Sequence, residues 1–372
     1  MRVLVAPDSF KGSLSATRVC EIIKSALPWC EVDCIPVADG GEGTVDSFVF
    51  AASAELKSCV VTDPKGGKVT AHFAVMGDTA VIESAKACGL PLAGADNDPA
   101  RATTYGVGEI IKAALDTGCR KIAIGIGGSA TNDGGIGCAG ALGVRFTDEN
   151  GNAVSPNGYG IAKIKNIDAS GLDSRVKDCE ITVLCDVENP LYGENGAAYV
   201  YAPQKGADSE KVLFLDNALK NLETVVKSDL GLDFANESGS GAAGGMGYGL
   251  RVFLGAKLQS GAKTVLDLCG FDDRAKQADV IITGEGRLDS QSLMGKVISE
   301  VTKRAGDKPF AVVCGLSTLE TVPEEIAAVF ETNPEHLPFE AVLPTCEKDL
   351  YDTVSTKVSE FLKKFKKMLD KC

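Results

Sequence analysis

The stretch Lys121–Gly135, KIAIGIGGSATNDGG, decides the fold class. Ile122, Ala123, Ile124 and Ile126 form a short apolar run that reads as a buried strand. The run passes directly into Gly125, Gly127, Gly128, Ser129, Thr131, Asn132, Asp133, Gly134 and Gly135. Glycine lets a backbone come close to a ligand and take positive φ, so successive N–H groups can converge on one anion. Ser129, Thr131 and Asn132 add short donors, and Asp133 suits a cation or the cap of a following helix. A single glycine would read as a tight strand-to-helix turn. Five glycines with three hydroxyl or amide donors point instead to a phosphate or sugar site.

The same strand–loop–helix pattern recurs on both sides. Val3–Ala6 is a strand ending on Pro7, Asp8, Ser9, Phe10, Lys11, Gly12 and Ser13, followed by Val19, Ile22, Ile23 and Ala26 at helical spacing. A second strand, Val32–Val37, ends on Ala38, Asp39, Gly40, Gly41, Glu42, Gly43 and Thr44, and a helix follows over Val45–Ala54. Two such units in succession indicate a parallel sheet with right-handed crossovers. Val60–Val75 alternates around a turn at Pro64–Gly67 and has a partner in Val81–Ser84, which predicts some antiparallel sheet. Further on come a helix over Tyr105–Thr117, a strand over Ile181–Cys185 running into Asp186, and a long helix over Ser209–Asp229. A second glycine cluster, GSGAAGGMGYG, spans Gly239–Gly249. From Ala278 the first pattern returns: a strand over Val280–Thr283 ends on Gly284, Glu285, Gly286, Arg287, Leu288 and Asp289. The last helix is expected over Lys348–Leu369. The pattern implies a discontinuous α/β domain, residues 1–65 with 275–372, and an inserted mixed α/β domain, residues 66–274. Two crossings between domains imply a hinge.

At 372 residues the chain has material for two domains, and 44 % apolar with 24 % charged residues is ordinary globular composition. A formal charge of −13 argues against nucleic acid or an anionic membrane surface as partner. Thirteen scattered cysteines without a C-x-x-C pair fit free thiols in a reducing compartment. No signal-peptide core and no membrane-length apolar run is visible, so a soluble, cytoplasmic protein is expected. The sequence assigns no oligomeric state.

Ligands of open parallel sheets bind beyond the carboxyl ends of the strands. There this chain places Asp8 and Lys11, then Asp39 and Glu42, then Glu285, Arg287 and Asp289. Taken singly, Asp8 or Asp289 reads as a helix N-cap; three acidic, glycine-containing loops on one rim read as a site. Strand-end carboxylates suit Mg²⁺ and a general base for a hydroxyl, and Lys11, Arg287 and Lys296 can offset phosphate charge. The P-loop pattern is absent. Gly125, Gly127 and Ala130 match the weak dinucleotide pattern, with Asp148 at a suitable distance, but the polar Thr131–Gly135 stands where that fingerprint needs an apolar helix. His72 and His336 are the only histidines, which leaves no material for a Ser-His-Asp triad.

DSFKGSLSA (Asp8–Ala16), PVADGGEGT (Pro36–Thr44), GIGGSATNDGG (Gly125–Gly135), DVENPLYG (Asp186–Gly193), GAAGGMGYG (Gly241–Gly249) and TGEGRLDSQSLMGK (Thr283–Lys296) together resemble the bacterial-type (type 1) glycerate kinases, in order across the whole chain. The resemblance implies a flavodoxin-like parallel-sheet domain interrupted by a mixed α/β domain. It also implies transfer of the ATP γ-phosphate to D-glycerate, with the 2-hydroxyl favoured. Phosphoryl transfer needs mainly positioning and charge neutralisation, so glycine loops, a cation and a carboxylate suffice. The expected catalytic residues are Asp39, Asp186 and Lys11, with Asp39 and Asp186 competing as base. Asp8, Ser9, Gly127, Gly128, Ser129, Thr131, Asp133, Gly284, Glu285 and Arg287 are expected to bind substrate or nucleotide, and Asp39, Glu42 and Asp289 to hold Mg²⁺. A non-enzymatic flavodoxin-like binding module and an NAD-dependent dehydrogenase stand as alternatives.

Overall fold

A computed structural model describes residues 1–294 and 296–369. Its strands, in chain order, are β1 (Arg2–Val5), β2 (Glu31–Cys34), β3 (Glu55–Thr62), β4 (Lys68–Met76), β5 (Thr79–Glu83), β6 (Lys121–Gly125), β7 (Arg145–Thr147), β8 (Asn166–Asp168), β9 (Glu180–Leu184), β10 (Lys257–Gln259), β11 (Val280–Leu288), β12 (Phe310–Ser317) and β13 (Ala328–Glu331). The chain divides into two compact units: Met1–Asp39, Asp46–Ser53 and Ala262–Cys372 form the first, and Gly40–Val45 with Ala54–Gly261 the second.

The first unit holds a five-stranded, all-parallel sheet in the order β13-β12-β11-β1-β2. Read in the order its strands follow along the chain, this is the doubly wound 2-1-3-4-5 arrangement of flavodoxin-like folds. Helix Ala16–Ala26 covers it with Val19, Cys20, Ile22, Ile23 and Ala26, the apolar spacing of one helical face, and Ser15 Oγ caps its start by accepting from Arg18 N at 3.2 Å. The expected single C-terminal helix is a composite: α-helix Cys346–Thr353, a π turn over Val354–Val358, then α-helix Ser359–Leu369. Leu350, Val354, Val358 and Leu362 are all buried at four-residue spacing. That spacing outruns the α period of about 3.6 residues, and the wider π turn absorbs the drift.

The second unit is built on a mixed sheet, β10-β9-β6-β5-β4-β3, in which β3, β4 and β5 pair antiparallel and β5, β6, β9 and β10 parallel. A small antiparallel pair, β7 and β8, stands apart. Its core joins Ile122, Ile124, Ile181 and Val183 of the sheet to Val107, Ile110 and Ile111 of helix Tyr105–Asp116.

Two expectations change. The domain boundaries expected near residues 65 and 275 stand at 54 and 262, because β3 pairs with β4 along its full length, Glu55↔Val75 to Thr62↔Lys68. On the other side, helix Gly261–Leu268 is tied to the first unit by Asp267, 2.7 Å from Arg304 Nη1. The strand expected to end at Thr283 continues to Leu288. It keeps parallel pairing with β12 through Glu285↔Cys314 and Leu288↔Ser317, so Gly284, Glu285 and Arg287 lie on a strand rather than a loop. Among the described residues no helix is long and apolar enough to cross a membrane.

Candidate active site

In the first unit, the carboxyl ends of β1, β2 and β11 gather the expected acidic residues. Asp8 N donates to Gly284 O at 2.8 Å, which holds the loop after β1 against β11, and Ser9 N donates to Asp8 Oδ1 at 2.6 Å within that loop. A side chain at Gly286 would press on the Phe10–Lys11 backbone, which is why this crossing needs glycine. Burial, and then the charges of Asp39 and Glu285, push the Asp8 carboxyl up to about 7, against the opposing hydrogen bond from Ser9. Burial also raises Glu285, against the opposing effects of Ser292 and Lys296, and Glu285 Oε1 is buried without a hydrogen-bond partner. Asp39, Lys11 and Arg287 are exposed on this rim. Asp289, expected as a metal ligand, is engaged instead as an N-cap: its Oδ1 accepts from Gln291 N at 2.9 Å and Ser292 N at 3.2 Å.

Among the described residues no three acidic, histidine or cysteine side chains converge as a complete metal cage. Mg²⁺ uses one or two carboxylates and completes its shell with water and phosphate oxygens. The mutually repelling Asp8 and Asp39, with the orphaned Glu285 Oε1, fit a cation held in that way.

In the second unit, the glycine-rich loop after β6 divides its glycines between two jobs. Gly134 and Gly135 pack against the second glycine cluster: Gly134 N donates to Gly244 O at 3.0 Å, and a Cβ on Gly135 would meet Gly249 Cα at 3.0 Å. Helix Ala242–Leu254 carries a left-handed kink at Ala243–Gly245 to make this approach. Gly125 and Gly127 instead face the Gly40–Gly41 backbone, with Gly127 N donating to Gly40 O at 3.3 Å. Sterics therefore account for most of a glycine run expected to cradle an anion. What stays open is the exposed turn Gly127–Gly128, where Gly128 has φ of 73°. Among the described residues the N–H groups of Gly128 and Ser129 have no hydrogen-bond partner, a backbone nest of the kind that receives anions.

Thr131 and Asp133, expected to bind ligand, are sealed inside. The Asp133 carboxylate accepts from Thr104 N and Thr104 Oγ1 at 2.8 Å and from Gly135 N at 3.1 Å. It braces the loop rather than facing a ligand, because burying it unpaired would be costly. Asp186 lies exposed beyond the end of β9, and its Oδ1 accepts from Gly261 N at 3.1 Å. Glu42 is exposed on the Gly40–Val45 segment, which belongs to this unit. Two residues that the sequence reading missed do most to shape the loops. Glu83 ends β5 and accepts from Val45 N at 2.7 Å. Lys205 lies beneath Ser129 and Thr131. An acidic residue closing the apolar run Ala80–Ile82 was a signal for the first; Lys205 gave none.

The family model described as "Glycerate kinase family" matches residues 3–362. The chain belongs to the glycerate kinase family. It is 44 % identical to the glycerate kinase of Bacillus subtilis over 91 % of this chain and 92 % of that one. It is also 44 % identical to the glycerate 2-kinase of Escherichia coli over 86 % of each. A crystal structure of a candidate glycerate kinase 2 from Salmonella typhimurium aligns with a TM-score of 0.87 at 40 % identity, covering 99 % of both chains. Membership of the glycerate kinase family spans both units and every glycine-rich loop described above.

Proposed function

We propose that this chain is an ATP-dependent glycerate kinase of the bacterial type 1 group, transferring the γ-phosphate of ATP to the 2-hydroxyl of D-glycerate. The observation that carries this reading is the 44 % identity to Escherichia coli glycerate 2-kinase across 86 % of both chains. The reaction needs donors for phosphate, countercharge and a group that takes the hydroxyl proton. In this reading the Gly128 and Ser129 N–H groups bind an anionic oxygen, and Lys11 and Arg287 supply exposed positive charge. Asp39 accepts the proton of the attacking hydroxyl, with Asp186 as the competing base. Asp8 and Asp39, backed by Glu285, would hold Mg²⁺, which neutralises phosphate charge when bound. Glu42 and Asp289 fall to secondary positions, Asp289 because its carboxylate already caps a turn.

The test is ADP release by purified protein with ATP and D-glycerate, with product read by enolase, which consumes 2-phosphoglycerate but not 3-phosphoglycerate. Turnover dependent on both D-glycerate and Mg²⁺, abolished by EDTA and visible through enolase alone, is expected. Turnover that ignores glycerate would overturn the substrate, and a product silent to enolase would overturn the 2-hydroxyl.

A further inference from the structure

Lys205 ends the short 3-10 turn Pro203–Lys205 and is only 4 % exposed. Its ammonium donates to Ser129 Oγ at 2.9 Å and to Thr131 O at 2.8 Å. The Lys205 carbonyl accepts from Asn97 Nδ2 at 2.8 Å, and the same amide donates to Ala130 O at 2.9 Å. One lysine and one asparagine thus hold Ser129, Ala130 and Thr131 from beneath.

Taking an ammonium out of water is expensive, and an apolar side chain of similar volume is often the more stable choice at such a place. The use of lysine here points to function. An ammonium has donors and no acceptor, so Ser129 Oγ must receive, and the serine proton must point away from Lys205. Among the described residues no acceptor takes that proton. Together with the free N–H groups of Gly128 and Ser129, it makes three unclaimed donors on two adjacent residues.

We propose that Lys205 is a positioning residue that fixes Ser129 Oγ as its acceptor and so presents the serine proton, with the Gly128 and Ser129 N–H groups, to an anionic oxygen of the substrate. The anion is either a nucleotide phosphate or the carboxylate of the hydroxy acid. The inference rests on the reading of Gly127–Ser129 as a binding element. Loss of the lysine leaves the donors present but misdirected, so the damage falls on binding of one substrate.

The test compares Lys205→Met, Ser129→Ala and the double variant in steady-state assays that titrate ATP and D-glycerate separately, with melting curves to establish folding. Lys205→Met is expected to raise one KM by about tenfold or more, the scale of a lost charge-assisted hydrogen bond. Ser129→Ala should raise the same KM, and the double variant should be no worse than about twofold beyond Lys205→Met, because both act through one hydroxyl. A rise confined to ATP assigns the phosphate, and one confined to D-glycerate assigns the carboxylate. Folded variants of an active enzyme with both KM values unchanged, or effects that multiply, overturn the proposal. Should Lys205→Met not fold, Ser129→Ala decides: unchanged KM values for both substrates overturn it. An inactive wild type defeats the functional reading and the proposal with it.

Discussion

Val45 N donates to Glu83 Oε1 at 2.7 Å, tying the end of the Gly40–Val45 segment to the carboxyl end of β5. Glu83 is 2 % exposed, and its other oxygen lies 3.4 Å from Lys86 Nζ. Glu83→Ala would orphan a buried N–H and should cost ~1–3 kcal/mol. Glu83→Gln keeps an acceptor and should cost less. Because this contact anchors the end of the Gly40–Gly43 loop, kcat should fall in parallel. Denaturant unfolding and ADP release measured on both variants check the ordering.

Gly125 and Gly140 make a matched pair. A Cβ on Gly125 would run into the Gly40 carbonyl, which is backbone and cannot swing aside, whereas a Cβ on Gly140 in helix Ile136–Ala141 meets nothing within 4 Å. Gly125→Ala should therefore destabilise by ~1–3 kcal/mol. Gly140→Ala should be neutral or stabilise by up to ~1 kcal/mol through helix propensity. Melting midpoints of the two variants decide this.

Asp39 and Asp133 should separate activity from stability. Asp39 is exposed, so Asp39→Asn should lower kcat ~10²–10⁴-fold while leaving the melting temperature nearly unchanged. Asp133 is fully buried and holds three donors from Thr104 and Gly135, so Asp133→Ala should lose stability first and activity with it. A folded Asp39→Asn variant with near-normal kcat removes Asp39 from the chemistry.

Burial pulls the Lys205 ammonium from its ordinary 10.5 down to about 8, partly offset by its electrostatic interactions with Cys88 and Asp133. Between those two values the unfolded chain holds more protons than the folded one, so this group favours folding increasingly as pH rises from about 8 towards 10.5. Its contribution is lost again as pH falls through 8. The difference in unfolding free energy between wild type and Lys205→Met should therefore shift in favour of wild type over that window. A difference independent of pH from 7 to 10 contradicts it.

The sequence by itself determined the alternating strand–loop–helix pattern, the mixed sheet around the Pro64–Gly67 turn and the family, because apolar periodicity and short glycine-rich motifs are local signals. It also named the acidic rim: Asp8 and Asp39 follow strands, and Glu285 lies near the carboxyl end of one. What a given polar residue does was decided only by the tertiary structure. Asp133 and Asp39 look alike in the sequence, each beside glycines, yet one is sealed under Thr104 and the other stands in solvent. In the sequence the glycines of the central loop read as ligand contacts, but Gly134 and Gly135 serve a second glycine cluster more than a hundred residues on. Lys205 meets Ser129 across 76 positions of chain. Burial and partnership are set by residues distant in sequence, and one chain of letters carries no marker for who will face whom.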